Sequence, residues 1–152
     1  MKRVLLLFLS VFYAVGLWAG TPIEELVVKY KEVRGTRSFC AEGVMMTFAR
    51  PFLKSYPIAP LADNVEQMSV LKVEKVDDEV RKIFLQELGV ALNTYIYTGK
   101  SDSPNGLVDA YVHLSSQDVA DELVVFNPEL MALYTLKGQF AVEDLRKINK
   151  KP

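Results

Sequence analysis

The chain has 152 residues, 50% of them apolar and 24% charged, with one Cys, one His and one Trp. That composition excludes a disordered or fibrous protein, and a lone Cys excludes an internal disulfide framework and Cys-rich zinc or iron–sulfur sites. Eighteen basic residues against 19 acidic ones give a net charge of −1, with no basic surplus to attract nucleic acid.

The N-terminus carries the strongest pattern. Lys2 and Arg3 form a short positive segment, and Val4 to Leu17 follows without a charged residue. The run ends at Trp18-Ala19-Gly20, before the polar Thr21-Pro22. Its length suits the apolar region of a signal peptide and falls short of the roughly 20 residues of a membrane span. Cleavage is expected after Ala19 or Gly20, although Leu17 stands where a small residue is usual. The alternative is a retained anchor. Lipidation would need a Cys directly after the apolar run, and Cys40 lies well beyond it. The expectation is therefore a cleaved signal over residues 1–19 and a periplasmic or secreted product.

Counted from Gly20, about 46% of the residues are apolar, an ordinary value for a soluble domain. No second run approaches membrane-spanning length, and no repeat or long linker divides the chain. Residues 20–152 read as one domain, large enough to bury a core without staples.

Pro22 to Val33 predicts a helix, with Pro in the first turn, Glu24 and Glu25 near its positive end, and Ile23, Leu26, Val27 and Tyr30 on one face. Gly35 stops it. Thr36 to Ala41 predicts a short strand. Val44, Met45, Phe48, Phe52 and Leu53 recur at helical spacing, with Pro51 expected to kink or end that helix near Arg50. Pro57-Ile58-Ala59-Pro60 reads as a brief extended connection. Val65 to Val76 predicts a strand covered in part on both faces. Asp77-Asp78-Glu79 supplies a cap and favourable charge for a helix whose stripe is Val80, Phe84, Leu88, Ala91 and Leu92.

The remainder reads mostly as β-structure. Tyr95, Ile96 and Tyr97 favour a strand over Thr94 to Thr98, followed by a polar loop from Gly99 to Gly106. Leu107 to Leu114 alternates, with Val108, Ala110, Val112 and Leu114 on one face and Asp109, Tyr111 and His113 on the other. Leu123 to Phe126 and Leu130 to Leu136 flank Asn127-Pro128-Glu129 and predict a hairpin. Gly138 is expected to end its second strand, and Val142, Leu145 and Ile148 mark a C-terminal helix. The order predicts an α+β fold in two layers, a largely antiparallel sheet with helices packed on one face.

Asp121 to Ile148 (DELVVFNPELMALYTLKGQFAVEDLRKI) runs from an apolar strand through a turn to a Gly-containing strand and a short helix. This resembles the C-terminal pattern of a group of exported bacterial proteins, domain of unknown function 4252, and its relative numbered 6108. The helix around Met45 and Phe48, the strand around Val70-Leu71-Val73 and the helix from Asp78 fall in the same order, so the resemblance covers most of residues 30–149. It implies export and this fold. The group has no assigned activity, so the resemblance transfers no site.

His113 has the one side chain with a near-neutral reference pKa. Asp109 lies on the same strand face but roughly 13 Å along it, too far for a direct hydrogen bond. Zinc would need about three protein ligands, and there is no second His or Cys. The expectation is a solvent-face or rim histidine. Cys40, between Phe39 and Ala41, reads as a small packing residue, with an intermolecular disulfide as the alternative. Asp102-Ser103-Pro104-Asn105-Gly106 lacks the acidic repeat of a calcium loop and suits a turn. Asp118, Asp121 and Glu122 read as a solvated loop. Tyr95, Tyr97 and Tyr111 suit cross-strand packing, with a ligand groove as the alternative. Gly99-Lys100 lacks the rest of a phosphate loop, and Lys147, Lys150 and Lys151 form only a small basic tail.

No catalytic, cofactor-binding or metal-ligating residue is therefore assigned. The expected function is a non-catalytic envelope protein, a binding or structural module for another envelope protein. The first alternative is a small-ligand binder using the Tyr-bearing sheet face, favoured by an apolar concave pocket. The second is a hydrolase centred on His113, favoured by a carboxylate in reach and a nucleophile.

Overall fold

The computed structural model describes residues 20–55 and 58–149, so the predicted signal segment lies outside it. Helix α1 (Pro22–Tyr30) starts at Thr21, whose hydroxyl accepts from the Glu24 N–H at 3.3 Å. Strand β1 (Arg37–Glu42) leads into α2 (Val44–Leu53), then a 3₁₀ helix (Ala59–Asn64) and β2 (Val65–Lys72). Helix α3 (Asp78–Ala91) is followed by four strands, β3 (Ile96–Ser103), β4 (Gly106–Leu114), β5 (Val119–Asn127) and β6 (Ala132–Ala141), and by α4 (Val142–Asn149). Among the described residues, no helix is long and apolar enough to cross a membrane.

The strands form one antiparallel, open sheet in the order β1-β2-β6-β5-β4-β3. The turns that close its hairpins are locally built. Ser103 Oγ donates to the Gly106 carbonyl at 2.7 Å, so the β3–β4 turn needs only Pro104 and Asn105 at its tip. At the β5–β6 turn, buried Asn127 Oδ1 accepts from the N–H groups of Glu129 and Leu130, at 3.0 and 3.1 Å. Its Nδ2 donates to the Asn105 carbonyl at 3.1 Å, tying the two turns together.

Residues opposite one another in an antiparallel ladder share a face, so the register sorts the core into two halves. On one face, Leu71, Leu133, Val124 and Phe126 receive α1 and α3. Phe84 of α3 is fully buried there, edge-on to Tyr30 at 5.0 Å and near Phe126 at 6.5 Å. On the other face, Ala41, Met68, Leu136, Leu123 and Val112 receive α2 and the 3₁₀ helix, with Leu145 of α4 against that cluster.

The α+β class and the antiparallel sheet are as the sequence predicts, but helices lie on both faces rather than one. The cause is visible in β5 and β6, where consecutive residues are apolar and each pleat therefore needs its own cover. Other differences are local. The Gly99–Gly106 segment is strand and turn rather than a long loop, because its polar residues sit on an exposed edge. Helix α2 continues through Pro51, which removes one hydrogen bond two residues before the last helical residue, Leu53. Ala59-Pro60 opens the 3₁₀ helix instead of an extended link, and Pro57 lies outside the described residues. Asp77 precedes α3 without a side-chain cap bond, leaving the first-turn charges of Asp78 and Glu79. Gly138 does not end β6. It continues the strand where a Cβ would collide with the Asn64 carbonyl, so the missing side chain lets the 3₁₀ helix close on the sheet.

Replacing Phe84 with Ala should cost about 3–5 kcal/mol by urea unfolding, since it empties a buried aromatic site. Replacing exposed Lys82 should cost less than about 0.5 kcal/mol. Equal costs would show that the Phe84 stripe is not the core face.

Candidate functional site

Two features stand out, one on each face of the sheet. On the α1 face, Glu122 of β5 sits across from His113 of β4 and Lys137 of β6. Its side chain is fully buried. Thr21 Oγ1 donates to Glu122 Oε2 at 2.6 Å, and the Tyr95 hydroxyl donates to Oε1. Lys137 Nζ lies 4.0 Å from the same carboxylate and pairs with Glu24 of α1. Burial pushes the Glu122 carboxyl above its ordinary range, while the bonds from Thr21 and Tyr95 and the Lys137 charge pull it back. Burial, then the hydrogen bond to Glu122, raises the Tyr95 phenol far above its ordinary value.

Asp121 reaches this region through a backbone irregularity. Ala120 and Glu122 pair with both neighbouring strands and Asp121 with neither, so it is the extra residue of a β-bulge. Alternation alone would aim it away from His113. The bulge brings its Oδ1 to 2.6 Å from His113 Nδ1, and the Tyr95 ring packs 5.2 Å from the imidazole. His113 is partly exposed, as expected of a rim histidine, and it is held there by Asp121. Asp121 and Glu122 belong to a strand with partners, not to a solvated loop. Bulge position was not readable from the pattern, because one inserted residue changes which side chains meet.

A carboxylate beside an imidazole can orient it as a base. Among the described residues, however, no hydroxyl or thiol is hydrogen-bonded to His113, and no group of three His, Cys, Asp or Glu side chains suits a metal. The cluster instead connects the start of α1 to the middle of the sheet.

The other residues singled out by sequence are dispersed. Asp109 accepts from Tyr97 Oη at 2.9 Å and faces Lys100 at 3.2 Å. Tyr97 and Tyr111 pack ring to ring at 5.2 Å, which fits their cross-strand reading. Cys40 is exposed on β1, not packed in the core, because both flanks of this strand's middle lack full cover.

The opposite face holds an apolar cleft of about 290 Å³. Its floor is the sheet itself, with Met68 and Val70 of β2, Tyr134 and Leu136 of β6, Leu123 and Val125 of β5, and Val108, Ala110 and Val112 of β4. One wall is Phe52, Leu53, Ile58 and Leu61, joined by Leu145. The other is the β3–β4 hairpin, where Thr98, Ser101, Ser103 and Asn105 supply polar groups. The cleft exists because α2, the 3₁₀ helix and α4 pack against β1, β2 and β6 and leave the β4 side of this face open. Tyr111 contributes to its lining, but the ladder sets Tyr97 and Tyr111 ring to ring on the pleat opposite Ala110 and Val112, so the cleft is not a groove between the tyrosines. The sequence signal that could have found it is the two-sided apolarity of LVVF and MALYTL.

Comparison with protein-family models, with curated proteins and with solved structures finds no match to this chain.

The Glu122 carboxyl should leave a signature in stability against pH. Its folded pKa is raised, so above about 4.5 the unfolded state gives up a proton that the folded state still holds. Stability from this group is therefore lost as pH rises from 4.5 through the folded value. Urea unfolding of wild type and Glu122→Gln between acid and neutral pH should show wild type losing stability relative to the variant as pH rises. A relative gain would contradict burial as the dominant influence.

Proposed function

We propose that this protein is an exported, non-catalytic binding module whose sheet cleft takes an elongated apolar ligand, a single acyl chain or a molecule of similar shape. The cleft carries this reading. Its volume is near the lower end of the roughly 300–1,000 Å³ typical of ligand pockets, and its lining is apolar with polar groups gathered on one rim. That arrangement suits a chain whose tail lies on the sheet and whose polar head meets Thr98, Ser101 and Asn105. Burying apolar ligand surface supplies about 25 cal/mol per Å² before ordering costs.

Export is supported by the Lys2-Arg3 start, the uncharged run to Leu17 and the small residues at 19 and 20. Membership of the 4252 group belongs to the same proposal, and no residue's role depends on it. Interaction with another envelope protein is the second reading, favoured by exposed Val44, Met45, Phe48 and Phe52 on α2. A hydrolase would have its carboxylate in Asp121 at His113 Nδ1, but among the described residues no hydroxyl or thiol is hydrogen-bonded to the imidazole to serve as its nucleophile.

The test is displacement of a fluorescent fatty-acid analogue by laurate on the processed chain. Ala110 lies half-buried on the cleft floor, so Ala110→Trp should fill it and weaken probe binding at least tenfold, about 1.4 kcal/mol. The far-ultraviolet circular dichroism should be unchanged. Equal probe affinity in a folded Ala110→Trp variant, or no binding by wild type, would refute the ligand reading.

A further inference from the structure

On the α1 face, a second hollow of about 150 Å³ lies between α1 and the β1 edge of the sheet. The ladder register sets its floor. Cys40, Ser69 and Thr135 stand in one row across β1, β2 and β6, and Glu42, Gln67 and Lys137 stand in the next. Side chains in such rows share a pleat. Elsewhere this face is apolar, with Leu71, Leu133 and Val124 beneath the helices. Here the floor offers a thiol, hydroxyls, an amide and an ammonium, and Glu24 and Lys31 stand on the wall.

Thr135 shows that this lining lacks a partner. It is 4% exposed, and its hydroxyl has no hydrogen bond among the described residues. A buried hydroxyl left unpaired is costly, so the floor calls for a polar group that the described residues do not supply. Cys40 lies at the open end of the same row. Its thiol is exposed, and the Gln67 amide donates to Sγ at 3.4 Å, which holds the sulfur on this face. The charges around the hollow are of both signs. Lys137 pairs with Glu24, Glu42 ends the second row, and Lys31 has no ion-pair partner among the described residues. A ligand of one sign meets repulsion as well as attraction there, whereas one with both an ammonium and a carboxylate finds a partner for each.

We propose that the hollow is a thiolation site, where Cys40 exchanges with a small zwitterionic disulfide and keeps one amino-acid half as a mixed disulfide. Cys40 gives its proton to solvent, and the thiolate attacks one sulfur of the disulfide. The old S–S bond breaks as the new one forms, and the leaving half takes up a proton and departs as a thiol. The Cys40 sulfur is oxidised and the leaving sulfur reduced, so no other oxidant enters. From Cys40 to Thr135 the row spans two strand spacings, about 10 Å. The retained half runs along it, with its carboxylate toward Thr135 and the lysines and its ammonium toward Glu24 and Glu42. The site is separate from the cleft, and its chemistry does not depend on export.

The test incubates the reduced, processed chain with cystine, and separately with cystamine, which has two ammoniums and no carboxylate. Intact mass should show one half-cystine per chain on wild type and none on Cys40→Ser. The ratio of the cystine rate to the cystamine rate should be about fivefold higher in the folded chain than in urea, the size of a few exposed charge contacts. The urea reference removes the intrinsic reactivity of the two reagents. Thr135→Val keeps the side-chain shape and should lower the folded ratio without lowering stability. Lys31→Gln, at an exposed position, should lower it too, and serves if the first variant fails to fold. No adduct, a folded ratio equal to that in urea, a ratio untouched in the folded variants, or a Cys40-linked dimer in place of the adduct would each overturn the proposal.

Discussion

Both faces of the β5–β6 hairpin are apolar, and the rest of the molecule is arranged around that constraint. Val124, Phe126 and Leu133 point one way, and Leu123, Val125, Tyr134 and Leu136 point the other. A strand pair of this kind cannot lie at the edge or leave one side to water, so it sits at the centre of the sheet and each face acquires helices. The first face is closed by α1 and α3 around Phe84. The second is closed only in part. The helical cover on that side is short, and what it leaves bare becomes the cleft. The feature proposed to bind a ligand is thus a direct result of having more apolar sheet than helix to cover it.

The polar cluster answers a different demand. Helix α1 must dock on the sheet through its apolar face, Ile23, Leu26 and Tyr30, but its first residues lie over Glu122 rather than over carbon. A buried carboxylate without partners costs several kcal/mol. Thr21 and Tyr95 satisfy it directly, and the Lys137–Glu24 pair carries the compensating charge to the helix. The same Thr21 hydroxyl also caps α1, so one side chain sets where the helix begins and where it is attached. The Lys29–Glu87 pair, at 2.7 Å, joins α1 to α3 on the exposed side, where screening by water leaves it a small contribution.

Much of the fold was legible because local chemistry and tertiary structure agree. The helix from Asp78, the alternation in β4 and the turn at Asn127 all read directly, since each is decided by residues close in sequence. What was not legible depends on long-range geometry. The second helical layer required knowing that β5 and β6 are central rather than edge strands. The His113–Asp121 pair required a bulge that no residue type announces. The role of Gly138 required the approach of Asn64, 74 residues earlier in the chain. The exposure of Cys40 followed from β1 lying at an edge, which its apolar neighbours disguised.

The central claim is that the partly covered face, and not the fully covered one, receives an apolar ligand. The most direct measurement is methyl nuclear magnetic resonance of the processed chain, labelled at Val and Leu, during titration with laurate. Saturable shifts should appear at Val108, Val112, Leu123, Val125 and Leu136, which line the cleft, while Leu71, Val73, Leu88 and Leu133 on the α1–α3 side stay in place. Shifts confined to the second group, or spread evenly over both with no saturation, would contradict the account.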